Sequence, residues 1–208
     1  MAGKPIVEDG IIVGNVYNKY ESRNPIARYL LRGFLQALDD LLARAGDGKV
    51  HEVGCGEGYL SVRMKRTGKE VCGSDFSEQI IERARTIHGG AGIEFRVRSI
   101  YDLNAAEDAA DTVVCCEVLE HLEQPERALE RLAEVARQSC ILSVPNEPLW
   151  SLMNMARGKY WPELGNTPGH LQQWSRRAFI RMVSRHFAVV EVRQPIPWTM
   201  VRCKPRTA

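Results

Sequence analysis

The sequence predicts a single doubly wound α/β domain built on a mostly parallel seven-stranded sheet. Three observations carry that prediction. The stretch from Val50 to Ser61, VHEVGCGEGYLS, reads as a β-branched strand, a tight glycine turn and the start of an amphipathic helix. Short apolar runs then alternate with helix-periodic segments, the pattern of strands joined by crossover helices. The 208 residues suit one such domain, and a hydrophobic content of 44% is enough to fill its core.

The elements follow in order. Residues 1–16 show no period, and Val16 to Glu21 carries Tyr17 and Tyr20. Asn24-Pro25 looks like a helix start, with Asn as N-cap and Pro in the first turn. Apolar residues such as Ile26, Leu30, Phe34, Leu38 and Leu41 recur at helical spacing as far as Ala45, and Gly46-Asp47-Gly48 ends the run. This helix precedes the first strand, so residues 1–46 form an N-terminal helical cap. It either closes over a ligand at the strand ends, with Tyr17 or Tyr20 touching that ligand, or simply packs on the sheet.

Tyr59 to Lys65 makes the helix after the glycine turn. Glu70 to Ser74 is the second strand, with Asp75 at its C-terminal end, followed by a helix from Ser77 to Thr86. Ile93 to Arg98 alternates as a third strand, and Ser99-Ile100-Tyr101-Asp102 follows it. Asp111 to Cys116 is apolar enough to be buried on both faces, with Cys115 and Cys116 pointing opposite ways. Pro125 opens a helix, Glu126 to Arg137, and Cys140 to Val144 is the fifth strand, closed by Pro145-Asn146-Glu147-Pro148. Residues 148–174 change character: tryptophans, prolines and glycines around a short helix-like stretch, Leu149 to Ala156, read as an inserted flap. Ser175 caps a helix to His186, and the strands Phe187 to Val192 and Trp198 to Cys203 form an edge hairpin whose last strand is antiparallel.

Charge and cysteine usage narrow the partners. A formal net charge of +2 gives no electrostatic argument for DNA, RNA or a membrane. The six cysteines sit mostly in apolar runs without disulfide-framework or zinc-knuckle spacing, which reads as reduced thiols in a cytoplasmic protein. The N-terminus has no apolar signal region, and no apolar run approaches the ~18 to 20 residues that span a bilayer.

The ligand chemistry starts at the glycine turn. Gly54, Gly56 and Gly58 permit backbone angles closed to other residues and remove side chains where a ligand lies against the main chain. The following helix turns its free N–H groups toward that ligand. Asp75, one βα unit later, can accept hydrogen bonds from both hydroxyls of a ribose, because Ser77 can take the capping of the next helix.

Three motifs in order, EVGCGEG from Glu52, GSDFS from Gly73 and CEVLEH from Cys116, resemble the class I S-adenosylmethionine-dependent methyltransferases. The resemblance covers roughly Lys49 to Pro205 and implies the Rossmann-like fold of that family. It implies that Gly54, Cys55, Gly56 and Gly58 lie along the methionine and ribose parts of S-adenosylmethionine. Glu52 would fix the glycine loop and the methionine amino group. Asp75 would take the ribose diol, Phe76 would lie against the adenine, and Ser99 and Ile100 would border the adenine amine, Ser99 standing where the family often has Asp. Cys116 and Glu117 would lie near the methionine portion.

Glu117, Glu120 and His121, with His170 downstream, form a second constellation. In a helical segment Glu117 would share a face with Glu120 and His121. Two carboxylates and two imidazoles can bind a divalent ion, Mg²⁺, Mn²⁺ or Zn²⁺, which lowers a bound hydroxyl's proton affinity. The pattern resembles the metal site of small-RNA 2′-O-methyltransferases and the E-x-x-E-H run of ubiquinone-pathway O-methyltransferases; without metal, the histidine is a wall or a base. Glu117, Glu120, His121 and His170 are therefore the candidate catalytic and metal residues. Trp150, Tyr160, Trp161 and Trp174 either line an aromatic or sugar pocket or pack the flap, and Arg157, Lys159, Arg176 and Arg177 read as a solvated face.

The resulting expectation is transfer of a methyl group to a small-molecule acceptor at a hydroxyl oxygen, in a natural product, a quinone or a sugar. The alternatives are a metal-dependent RNA 2′-O-methyltransferase, against which the near-neutral charge argues, and a non-catalytic cofactor-binding partner protein.

Overall fold

The computed structural model describes residues 6–8 and 11–13 by backbone alone, and residues 22–156, 158, 161, 164–167 and 169–206. Tyr17, Tyr20, Arg157, Lys159 and Tyr160 lie outside the described residues.

Two short strands, β1 (Ile6–Glu8) and β2 (Ile11–Val13), pair antiparallel in a small sheet of their own. Then come α1 (Pro25–Arg44), β3 (Lys49–Val53), α2 (Tyr59–Lys65), β4 (Glu70–Asp75), α3 (Glu78–His88) and β5 (Glu94–Val97). The second half holds α4 (Ala105–Asp108), β6 (Ala110–Cys116), α5 (Pro125–Val135), β7 (Ala136–Pro145), α6 (Leu149–Ala156), α7 (Arg176–His186), β8 (Phe187–Arg193) and β9 (Trp198–Pro205).

The main sheet runs β5-β4-β3-β6-β7-β9-β8, parallel except for β9, which is antiparallel to both neighbours. The chain winds outward from β3 to β5 on one side and from β6 to β7 on the other. The C-terminal ends of β3 and β6 therefore flank the point where the order reverses, and in such sheets a ligand crevice opens there.

Local sequence explains most boundaries. Asn24 caps α1, its side-chain oxygen accepting from the N–H groups of Ile26 and Ala27 at 2.9 and 3.2 Å. Ser77 and Ser175 cap α3 and α7 in the same way. Side-chain alternation along β6 divides the core. Val113 and Cys115 join a cluster with Leu129, Leu132 and Phe179 from α5 and α7, while Val114 and Cys116 join one with Phe34, Leu38 and Met64 from α1 and α2. Both faces of the sheet are thus covered, which is why β6 is apolar from Val113 to Cys116. All six cysteines are buried free thiols.

Several boundaries differ from expectation, most of them by one or two residues. Helix α5 stops at Val135 and β7 begins at Ala136, where a helix to Arg137 and a strand from Cys140 were expected. Ala136 already pairs with Ala110 of β6, and Arg137 and Gln138 are exposed polar residues that give no strand signal. The third strand is shorter than Ile93 to Arg98 because sheet pairing holds only Glu94 to Val97.

Helix α1 mainly packs on the sheet. Its buried face, from Leu31 to Leu42, joins the β3, β7 and β9 side of the core, and Phe34 meets Trp198 edge-on at 5.1 Å. Among the described residues, no helix is long and apolar enough to cross a membrane.

Candidate functional site

The glycine loop between β3 and α2 is held by the strand beside it, the N–H groups of Gly54 and Cys55 donating to the Ser74 carbonyl at 2.7 and 2.9 Å. Gly54, Gly56 and Gly58 have φ of +73°, +53° and +81°, angles that disfavour any side chain. Their surroundings differ sharply. A Cβ on Gly54 would lie 2.3 Å from Val118 Cγ2, and one on Gly58 would lie 2.6 Å from Phe95 Cζ. A Cβ on Gly56 would meet nothing within 4 Å. Gly54 and Gly58 therefore make room for the protein's own side chains, and Gly56 alone of the three faces open space.

Asp75 borders that space. Its carboxylate accepts from the Gly56 N–H at 3.0 Å and from the Ser77 N–H at 3.1 Å. Burial raises its carboxyl pKa, against the opposing pull of the Ser77 and Gly56 N–H groups. Ser77 caps α3 through the Ile80 N–H at 3.2 Å, so Asp75 is not needed for that task. Phe76, the next residue, is 38% exposed. Glu52 is buried and accepts a hydrogen bond from the Ser61 hydroxyl. Ser99 caps the 3-10 turn Ile100–Asp102 by accepting from the Tyr101 N–H at 3.2 Å, and Ile100 is buried below it. Burial pushes the Cys55 thiol well above its ordinary pKa, and Glu52 and Asp75 add to the shift, so Cys55 is no nucleophile. Cys116 is buried at the end of β6.

Beyond Cys116 the expected helical face does not form. Glu117 adopts a left-handed φ of +60°, and only Leu119–His121 makes a single 3-10 turn. The Glu117 N–H donates to the Ser143 carbonyl at 3.1 Å, and its carboxylate accepts from the Trp198 indole N–H at 2.6 Å. Glu117 is thereby turned toward β9, away from the group that the other three candidates form.

Glu120, His121 and His170 come together, each offering a ligand atom within 4.8 Å of the others. Backbone hydrogen bonds across the chain assemble them. The Glu120 carbonyl accepts from the N–H groups of Leu171 and Gln172 at 2.8 and 3.0 Å. His121 Nδ1 lies 2.9 Å from the Gly169 carbonyl oxygen. A carbonyl only accepts, so the proton sits on Nδ1 and the lone pair on Nε2. The His170 ring stands perpendicular to that of His121 at 4.9 Å and stacks on Trp150 at 6.0 Å. Burial, helped by His121, lowers the His170 pKa to about 4, which keeps it neutral near pH 7.

The flap aromatics divide. Trp150 contacts Trp198 at 5.8 Å as well as His170, and so borders the group. Trp174 packs on Phe179 at 6.2 Å and belongs to the core, whereas Trp161 is exposed. Arg176 bonds Gln194, and Arg177 faces solvent. The partnerships of Glu117 with Trp198 and of His121 with Gly169 span 81 and 48 residues and leave no mark in the local sequence.

Residues 51–144 match the family model described as a methyltransferase domain. Among curated proteins, the ubiquinone biosynthesis O-methyltransferase of Xanthomonas euvesicatoria pv. vesicatoria is 34% identical over 106 residues, covering 50% of this chain and 44% of that protein. Its counterpart in Hahella chejuensis is 37% identical over 107 residues with the same coverage. The match thus spans under half the length of those relatives. Among solved structures, magnesium protoporphyrin IX methyltransferase from Synechocystis PCC 6803 with bound SAH superposes with a TM-score of 0.67 at 21% identity, covering 89% of each chain. An S-adenosylmethionine dependent methyltransferase from Mesorhizobium loti gives a TM-score of 0.63 at 18% identity, over 83% of this chain and 97% of that one. At these identities the structural likeness speaks for the fold.

Proposed function

We propose that this chain, whose domain and fold are those of a class I S-adenosylmethionine-dependent methyltransferase, transfers a methyl group to a hydroxyl oxygen of a small-molecule acceptor. The observation that carries the reading is one juxtaposition at the C-terminal ends of the central strands. The open space at Gly56, bordered by Asp75, lies on the loop after β3, and the Glu120–His121–His170 group lies just past the neighbouring β6.

The residues fit the donor. Gly56 leaves main chain bare where a ligand approaches, Asp75 places a carboxylate for a ribose diol, and Phe76 offers an exposed ring for a base. Bound there, S-adenosylmethionine supplies a methyl group on a positively charged sulfur. The protein's task is to hold the acceptor oxygen in line with that methyl and to remove the oxygen's proton. His121 is arranged for the second part, because the Gly169 carbonyl fixes the proton on Nδ1 and leaves Nε2 basic. Trp150, beside His170, offers a flat apolar wall for the body of the acceptor.

The donor set of Glu120, His121 and His170 also fits a divalent ion. One buried carboxyl group, one imidazole with its tautomer fixed and one imidazole held neutral are the oxygen and nitrogen donors that such an ion takes. Such an ion would take the Nε2 lone pair of His121 and, in place of a base on the protein, acidify the acceptor hydroxyl. Glu117 is not among these ligands in our reading, since it serves Trp198.

The test combines calorimetry with turnover. Purified protein should bind S-adenosylhomocysteine and methylate members of a phenol, catechol and sugar panel. EDTA should abolish turnover, Mg²⁺ or Mn²⁺ should restore it, and His121→Ala should reduce it by about 100-fold or more, whether the imidazole is lost as ligand or as base. Turnover indifferent to EDTA would end the metal reading. Failure to bind S-adenosylhomocysteine would end the whole.

A further inference from the structure

We infer that Thr167 and Asn154 are positioning residues that set His170 for metal binding, using α6 as the template. The inference rests on the metal reading of Glu120, His121 and His170 given above.

His170 sits on a strap, residues 164–167 and 169–170, rather than on a helix or strand. A ligand on such a segment needs its backbone and its ring plane fixed by something else. Helix α6 supplies both. Asn154, 1% exposed on α6, donates from Nδ2 to the Gly165 carbonyl at 2.8 Å and to Thr167 Oγ1 at 3.3 Å. Trp150, one turn earlier, donates its indole N–H to the same Oγ1 at 2.9 Å. The Thr167 carbonyl accepts the His170 N–H at 3.0 Å, and the Trp150 ring lies 28° from parallel with the His170 ring at 6.0 Å. At Gly165, with φ of +82°, a Cβ would stand 2.2 Å from the Ser151 carbonyl oxygen, so the strap is pressed against α6.

The chemistry singles out a hydroxyl at 167. A hydroxyl has two acceptor lone pairs, and here they meet two N–H donors from successive turns of α6. No apolar side chain of the same shape can do this. Removing the acceptor would leave two half-buried N–H donors without their common partner and free the strap to shift. The strap's far side is tied to the other ligands by the bonds of Gly169, Leu171 and Gln172 to His121 and Glu120. Thr167 thus links the α6 template to the metal group through the main chain of His170. Outer partners of this kind typically change metal affinity by about 10- to 100-fold when mutated.

The experiment measures Mn²⁺ affinity by electron paramagnetic resonance, without cofactor or acceptor, with S-adenosylhomocysteine affinity as the control. Thr167→Val should weaken Mn²⁺ binding by about 10- to 100-fold while leaving S-adenosylhomocysteine binding unchanged, and Thr167→Ser should recover it to within about 3-fold. Wild-type Mn²⁺ affinity in Thr167→Val, alongside loss in His170→Ala, would overturn the positioning role and leave the metal reading intact. Equal affinity in His170→Ala and the wild type, or no binding by either, would remove the metal reading and this inference with it. If Thr167→Val also loses S-adenosylhomocysteine binding, Trp150→Phe decides. That variant keeps a ring against His170 but withdraws one donor, and undiminished Mn²⁺ affinity in it overturns the role.

Discussion

Gly54 and Gly56 stand two residues apart in one loop, both at positive φ, yet alanine should damage them in different ways. At either site an L-residue in the left-handed region costs about 1–2 kcal/mol. At Gly56 little more is lost from the fold, because the new methyl enters open space. At Gly54 the methyl would come to 2.3 Å from Val118 Cγ2, far inside van der Waals contact. Overpacking of that kind adds about 1–3 kcal/mol, so Gly54→Ala should lose about 2–5 kcal/mol in all. Urea unfolding of the single variants and of Gly54→Ala/Val118→Ala measures this directly. The double variant should recover at least about 0.5 kcal/mol relative to additivity, as expected of residues in contact. Calorimetry with S-adenosylhomocysteine should show the reverse order of harm. Gly56→Ala, stable but obstructed, should bind at least about 10-fold more weakly, which is about 1.4 kcal/mol. Equal stability loss at the two sites, or wild-type cofactor affinity in Gly56→Ala, would refute this division of roles.

Other outcomes follow from single groups. Asp75→Asn should weaken S-adenosylhomocysteine binding by about 10-fold or more, since a hydrogen bond to a charged group contributes about 1.5–3 kcal/mol and Asn keeps one acceptor oxygen of the two. Calorimetry showing a change under about 3-fold would count against Asp75 as the ribose acceptor. Acid stability should depend on His51, which is buried between the Asp108 carbonyl and the Ser74 hydroxyl and whose pKa burial lowers from 6.5. Folding keeps this imidazole neutral, so its contribution is complete above the unfolded pKa and is lost as pH falls from there toward the folded pKa. The slope approaches about 1.4 kcal/mol per pH unit for one proton. In urea titrations below pH 6.5, His51→Gln should flatten that decline, and an undiminished slope would assign it to other groups.

The geometry of the glycine loop and Asp75 was legible because its signals are local. A β-branched run into Gly54-Cys55-Gly56-Glu57-Gly58 specifies strand, turn and helix within a dozen residues, and Asp75 follows the next strand directly. What periodicity hid was the reason for each glycine. Val118 and Phe95, which fill the space at Gly54 and Gly58, are 64 and 37 residues downstream, and only the packed sheet brings them there. The start of β7 was misplaced for a related reason. Arg137 and Gln138 give no strand signal, and they sit in a register shift between Ala136 and Ser139, the residues that pair with β6.

The stretch from Glu117 to His121 shows why spacing alone does not fix which way an acid faces. Glu117 and Glu120 are three apart, so a helix would present both to His121. A left-handed residue at Glu117 costs about 1–2 kcal/mol and breaks that helix before it begins. Two contacts offset the cost, the N–H bond to Ser143 on β7 and the carboxylate bond to Trp198 on β9. The kink turns the chain so that the Glu120 carbonyl, rather than a helical neighbour, receives the N–H groups of Leu171 and Gln172. Those bonds bring Gly169 onto His121 and His170 beside it. Glu120, the carboxylate that reaches the histidines, thus follows a kink at Glu117 that Ser143 and Trp198 hold by their hydrogen bonds.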